Sequence, residues 1–322
     1  MHIADRLYGT ATITSPVILA VLASKPLQRL RRIGQLGIPE AYMGPVPHTG
    51  FTRFDHSLGV ALLLRHFGAS EEEQLAGLLH DVSHTAFSHT VDWVLSTDHH
   101  VDDFQDTNHL RYLEGTEIPA ILAAHGFDLA RIADYEHFGL LEREIPDLCA
   151  DRIDYFLREL PDEEAQLLLR HLCVWRGKFI LDSREAAAYF ARAFLDRQMQ
   201  LWGGYEAVSR IQIFAHILNY AIDRRIIAFD DLWTDDEAVI AQLEGSGDSL
   251  LLGYLATLRT ADLRSLPASA EPSCCKFRYV DPEFVSQGSL VRLSTVDQHF
   301  AAHLVTARQC NARGHHVARI VQ

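Results

Sequence analysis

The sequence has few cysteines, and none of them pair at a metal-binding spacing. Cys149, Cys173, Cys274, Cys275 and Cys310 form an odd, scattered set with no Cys-x-x-Cys. This argues against both a disulfide framework and a thiolate zinc site. No apolar run approaches the ~18 residues that a membrane helix needs. The start, Met1-His2-Ile3-Ala4-Asp5-Arg6, is mixed rather than basic and then hydrophobic, so the expectation is a cytoplasmic protein without a membrane span. Positive charge is scarce: 29 Lys and Arg face 43 Asp and Glu, for a formal net charge of −14. Such a field disfavours extended contact with nucleic-acid phosphates. It leaves room for a small anionic substrate, because a metal and a few local cations can reverse the sign inside one pocket. There is no internal repeat and no low-complexity tract.

What is present is ordinary core material and a surplus of histidine. The 322 residues are 48% hydrophobic and 22% charged, enough for one large core with an appendage. Of the eighteen histidines, His99, His100, His315 and His316 sit in polar or terminal surroundings and read as solvated. Residues 8–15 form a short extended segment suited to a hairpin arm. Ser15-Pro16 reads as an N-cap followed by proline at the first helical position. A second helix opens at Pro26 and carries the basic cluster Arg29, Arg31 and Arg32, either a solvated face or a phosphate contact. The stretch 42–52 is a loop, rich in glycine and proline, that leads through Arg53 and His56 into an apolar helix. Gly68 turns the chain, and Ser70-Glu71-Glu72-Glu73 has the form of a capping box. Residues 96–108 read as a mobile loop or short helix. Helices follow from Glu117-Ile118-Pro119, from Pro146-Asp147 and through 184–258, broken at Gly203-Gly204 and Gly245-Ser246-Gly247. Lys276–Val280 and Leu290–Leu293 alternate like strands.

The chain's chemistry centres on His80-Asp81, which ends the apolar run Leu75–Leu79. An imidazole nitrogen beside a carboxylate suits a divalent metal such as Mn, Fe, Ni, Co or Zn. The plainer reading is a hydrogen-bonded pair at a helix end. His56 lies far enough upstream for a helix, a turn and a second helix to bring it back beside His80, although a lone histidine there also fits a satisfied core residue. Asp151, Asp154 and Tyr155 fall on one helix face, which suits a site wall.

The order His56, His80-Asp81, Asp151 resembles the HD-domain phosphohydrolases, in the branch of the deoxynucleoside triphosphate triphosphohydrolases and the vertebrate SAM-and-HD-domain enzyme. The similarity extends over Pro26–Gly37, Arg53–Val60, Leu78–His89, Ala150–Phe156 and Phe277–Pro282, in order and over most of the chain. It implies an all-α, mainly helical fold with the hairpin-like N-terminal arm and a small mixed C-terminal appendage. The expected layout is an HD metal-binding core over 1–175, a helical extension over 176–270 and the appendage over 271–322. It further implies one divalent transition metal held by His56, His80, Asp81 and Asp151, with Mg as an additional candidate ion. Arg53 would clamp phosphate, and His84 and His89 would face the phosphates or an acid/base position. Asp92 would orient a neighbouring histidine. Gln35, Leu36 and Tyr155 would contact substrate. The alternatives are a loop salt bridge for Arg53, a helix start for His89 and core packing for Tyr155. Such proteins often form homo-oligomers.

The chain departs from the pattern at one place. Where relatives carry a catalytic His-Glu pair, this chain has Gln105-Asp106, and an amide cannot shuttle a proton. His109 is the histidine available to take over. The leading expectation is a metal-dependent phosphohydrolase acting on a nucleotide or similar small phosphate ester. The alternatives are a catalytically impaired nucleotide-binding regulator and a diiron oxygenase drawing on His84, His89 and His109 for a second iron.

Overall fold

The computed structural model describes residues 1–44, 50–95 and 104–320. Parts of the expected segments at 42–52 and 96–108, with His99 and His100, lie outside the described residues. The N-terminal arm is a hairpin of β1 (His2–Asp5) and β2 (Gly9–Thr12). Helices α1 (Pro16–Ala23) and α2 (Lys25–Arg29) follow, and the Ser15 side chain caps α1 by accepting the Ile18 N–H. The central trio is α3 (Arg53–His66), α4 (Glu71–Leu79) and α9 (Ala150–Arg158). Between α4 and α9 run α5 (Thr90–Leu95), α6 (Phe104–Glu114), α7 (Ile118–Ala124) and α8 (Leu129–Ala133). Beyond α9 come α10 (Asp162–His171), β3 (Leu172–Trp175), β4 (Lys178–Leu181), α11 (Arg184–Arg197), α12 (Tyr205–Asp223), α13 (Asp236–Glu244) and α14 (Ser249–Thr260). The chain ends through β5 (Glu283–Ser286), β6 (Ser289–Arg292), α15 (Leu293–Val296) and α16 (Gln298–Arg313).

Local chemistry starts α3 at a fixed residue. Thr52 accepts the Asp55 N–H, and the Asp55 carboxylate accepts the Thr52 N–H, a reciprocal capping box. Ser70 caps α4 by accepting the Glu73 N–H. The expected return bond from Glu73 is absent, because its carboxylate accepts the Leu140 and Leu141 N–H groups instead. From Phe54 to Leu64 α3 is buried on nearly every side, so it is the axis on which α4 and α9 pack. Two glycines permit that approach. A Cβ at Gly77 would lie 2.6 Å from Leu64 Cδ1, and a Cβ at Gly59 would occupy the space of Asp154 Oδ1 and Arg158 Nη2.

The mainly helical expectation holds, with two small sheets added. The sheet β3-β4-β5-β6 is antiparallel except where β4 meets β5 in parallel at Leu181–Phe284. Its hairpins turn on Arg176-Gly177 and Gln287-Gly288, all at positive φ (51°, 75°, 50° and 77°). That is the mirror-image two-residue turn that matches strand twist. The expected strand at Leu290–Leu293 is β6 to within one residue, whereas Lys276–Val280 forms no strand and β6 pairs instead with β5. The sheet therefore joins residues 172–181 to residues 283–292. Two large apolar clusters and a small third one around Trp93, Val208 and Val317 fill the interior among the described residues. One of the large clusters is built around α3, α4, α9 and α11, and the other around α12, α13 and α14 with Ile38, Tyr42 and Phe87.

Gly59→Ala drives a methyl into the buried Asp154–Arg158 pair. Overpacking of this kind costs about 1–3 kcal/mol, so the urea-unfolding midpoint falls clearly. An unchanged midpoint contradicts the packing described here.

Candidate metal centre and its cavity

His56 sits one turn into α3, His80 caps the C-terminus of α4, Asp81 follows it, and Asp151 lies in the first turn of α9. The three helices bring their donor atoms together. His56 Nε2 is 3.0 Å from Asp151 Oδ1, and His80 Nε2 is 3.2 Å from His56 Nε2 and 3.6 Å from Asp151 Oδ1. Asp81 Oδ2 and Oδ1 lie 3.6 and 3.5 Å from the two Nε2 atoms, respectively.

The other ring nitrogens fix the tautomers. His80 Nδ1 is 2.7 Å from the Gly77 carbonyl, which can only accept, and His56 Nδ1 is 2.8 Å from Asp154 Oδ2. Both Nδ1 atoms therefore donate, and in the neutral rings both Nε2 atoms present lone pairs to each other and to Asp151. Such an arrangement calls for a cation between them, and His56, His80 and Asp151 form a group that could hold a metal ion. Without a metal, protons fill that role. Burial lowers the His80 imidazole, but Asp81 and Asp151 outweigh it and lift it to about 9. His56 is raised in the same way, against burial, by Asp151 and Asp154. Burial pushes Asp151 up, yet the two histidines hold it well below the usual carboxylate range.

The outer contacts of these ligands form a buried chain. Asp154 Oδ2 accepts from His56 and from Arg158 Nε at 2.8 Å each, and Tyr8 donates to Asp154 Oδ1 at 2.8 Å. Arg158 Nη2 donates to Asp5 Oδ2 at 2.8 Å. The hairpin arm thus reaches a metal-ligand candidate through two charged links. Arg53 donates to Asp81 at 2.7 Å and to Ser88 Oγ at 3.0 Å. Ser88 and Phe87 hold positive φ values of 48° and 63°, a local strain that keeps this corner in place. Within the basic cluster, Arg29 holds the Val82 and His84 carbonyls, Arg31 lies 3.5 Å over the Phe54 ring and Arg32 pairs with Asp235. Arg29 braces the His-Asp turn, a role neither expected reading describes, whereas Arg31 and Arg32 are exposed, in keeping with a solvated face.

A cavity of about 420 Å³ opens beside these groups. Among the sequence-derived candidates it is lined by Gln35, Leu36, Arg53, His80, Asp81, His84, His89, Asp151 and Tyr155. His84 is buried with Nε2 3.2 Å from Asp81 Oδ1; burial and the Arg53 charge hold it neutral. Asp92 orients His89 at 3.4 Å and accepts the Phe104 N–H. His109 is not among the lining residues. It bonds Ser83 Oγ at 2.8 Å behind Gln105, and burial beside His80 pulls it down to about 3. Gln105 is a brace, donating at 2.8 Å to both the His80 carbonyl and Ser83 Oγ. The sequence reading missed Asp106, Arg152, Lys276, Arg278 and Trp202, which also line the cavity. Lys276 and Arg278 are alternate residues on one side of an extended segment, and Arg278 also lies in the resembling stretch Phe277–Pro282, but neither signal assigns them a cavity.

Residues 53–159 match the family described as HD domain. An uncharacterized Bacillus subtilis protein, YdhJ, is 36% identical over 80% of this chain and 80% of its own. The chain belongs to the HD-domain phosphohydrolase family. A Cordyceps militaris relative named metal-dependent phosphohydrolase cns2 is 30% identical over 89% of this chain and 85% of its own. A phosphohydrolase from Bacteroides thetaiotaomicron shares the fold, with a TM-score of 0.66 and 16% identity over 92% of this chain and 94% of that one. The His80-Asp81 dipeptide lies within the matched residues. No helix among the described residues is long and apolar enough to cross a membrane.

Asp154→Asn removes the carboxylate that orients His56. Loss of such an outer partner typically costs 10- to 100-fold in metal affinity, measurable by chelator competition with Mn²⁺; equal affinity contradicts the bracing role. Metal must also displace the proton that the carboxylates hold on His80. Apparent affinity therefore rises with pH through neutrality and levels off above about 9, while a flat profile between pH 6 and 9 contradicts the proton competition.

Proposed function

We propose that this protein is a metal-dependent phosphohydrolase acting on a small phosphate ester, with a nucleotide as the substrate class. The observation that carries the reading is the convergence of the His56 and His80 lone pairs with the Asp151 oxygen, His80 and Asp151 lining a cavity that cations also line. A divalent metal on His56, His80, Asp81 and Asp151, drawn from Mn, Fe, Ni, Co and Zn, supplies activated water and offsets phosphoryl charge. Mg is an additional candidate. The chain's own residues do the rest. Arg53 neutralises and positions Asp81 through its 2.7 Å bond. Lys276, which makes no hydrogen bond or ion pair with another side chain among the described residues, and Arg278 offer positive charge to phosphate oxygens. Tyr155 and Trp202, 5.3 Å apart edge to face, give a planar group an apolar wall. Gln35 and Leu36 complete that side, and His84 and His89 face the reacting phosphate. The cavity volume lies in the range of small-molecule sites, which favours a monomeric substrate over an extended polymer. Cytoplasmic location and homo-oligomerisation complete the reading.

Asp81→Ala tests the centre. The expected outcome is loss of bound metal and of p-nitrophenyl phosphate hydrolysis, with the helical circular dichroism signal retained. Full metal content and rate in this variant would overturn the assignment.

A further inference from the structure

We propose that Asp106 is the proton donor to the leaving group of the phosphate ester, a role that rests on the phosphohydrolase reading above. An alkoxide or phenoxide leaves slowly from phosphorus unless its oxygen is protonated as the bond breaks. Several titratable side chains line the cavity, and most are already committed. His84 gives its Nε2 proton to Asp81 at 3.2 Å and is held neutral. Tyr135 donates its hydroxyl to the His80 carbonyl at 2.8 Å. Burial and Asp151 push the Tyr155 phenol far above its ordinary value. Glu142 carries Arg152 at 2.7 Å.

Asp106 differs. It is an exposed residue whose carboxyl lines the open side of the cavity, and no hydrogen bond or ion pair reaches it among the described residues. Its place is fixed by its neighbours. The Gln105 amide ties the first turn of α6 to the His80 carbonyl and Ser83, and the Phe104 N–H is held by Asp92. Partial desolvation in the cavity raises its pKa above the ordinary carboxyl value, making it a weaker acid. Asp81 and Asp151 add to that rise, while Lys276 and His89 oppose it. A phosphate that engages Lys276 places negative charge beside Asp106 and favours the protonated acid further.

The step balances as follows. The oxygen of water bonds to phosphorus. The bond from phosphorus to the leaving oxygen breaks, and its electron pair goes to that oxygen, which takes the proton from the Asp106 carboxylic acid. The proton released from the attacking water restores Asp106, so the products are an alcohol or phenol and inorganic phosphate.

Rates on phenyl phosphate and p-nitrophenyl phosphate with Mn²⁺, for the full-length protein, Asp106→Asn and His89→Gln, test this. p-Nitrophenolate leaves without help, whereas phenolate needs a proton. Asp106→Asn is expected to lose about 100-fold on phenyl phosphate and only a small factor on p-nitrophenyl phosphate, with metal content and circular dichroism unchanged. Equal losses on both esters, no loss on either, or a phenyl-selective loss in His89→Gln alone overturns the assignment to Asp106 while leaving the hydrolase reading intact. Wild-type protein that turns over only p-nitrophenyl phosphate also overturns it, because such an enzyme has no donor. Wild-type protein that hydrolyses neither ester overturns the hydrolase reading and this assignment with it.

Discussion

Two neutral imidazoles whose Nε2 atoms face each other at 3.2 Å, with a carboxylate oxygen 3.0 Å from one of them, cannot rest without positive charge between them. The rest of the site follows from that constraint. Each imidazole must be held from behind, so each Nδ1 has an acceptor. The acceptor behind His56 is itself a buried carboxylate and needs Arg158, and Arg158 needs Asp5. Buried charges of this kind are tolerated only as a complete set, since removing one partner strands another at a cost of about 3–5 kcal/mol. This explains why so much of α3 and α9 is given over to one electrostatic chain, and why a glycine must sit where that chain crosses α3.

The protein is acidic overall, yet its cavity gathers Arg53, Arg152, Lys276 and Arg278. Their neighbours separate their roles. Arg53 and Arg152 are bonded to Asp81 and Glu142, so much of their charge offsets the cavity's own carboxylates. Lys276 has no such partner among the described residues. The net field seen by an incoming anion is set less by the number of cations than by which of them are already paired.

The candidate ligands were legible through local patterns taken together with the HD resemblance: His80-Asp81 after an apolar helix, His56 near the start of a buried helix, and Asp151, Asp154 and Tyr155 at helical offsets. Asp154 was visible as part of a polar face, but its partners Tyr8 and Asp5 were not, since no local rule links an N-terminal hairpin to α9. Of the four-stranded sheet only β6 was legible, at Leu290–Leu293; the rest was missed for a similar reason. Its first hairpin is four residues a side around Arg176-Gly177, and the parallel contact at Leu181–Phe284 is invisible to periodicity. His109 looked available by residue type, and only the fold shows Gln105 standing between it and the cavity. The HD relatives support the family and the fold, while the cations on the segment before β5 are a property of tertiary assembly.

That parallel contact also sets an order of events. All the ligand side chains are present once α9 has been synthesised, but Lys276 and Arg278 arrive much later, on the segment that leads into β5. The candidate ligands therefore precede in the chain the residues that complete both the cavity wall and the core beneath them, since Val280, Phe284, Leu293 and Phe300 pack in the same apolar cluster as α3, α4 and α9. The site as a whole is a product of the finished chain.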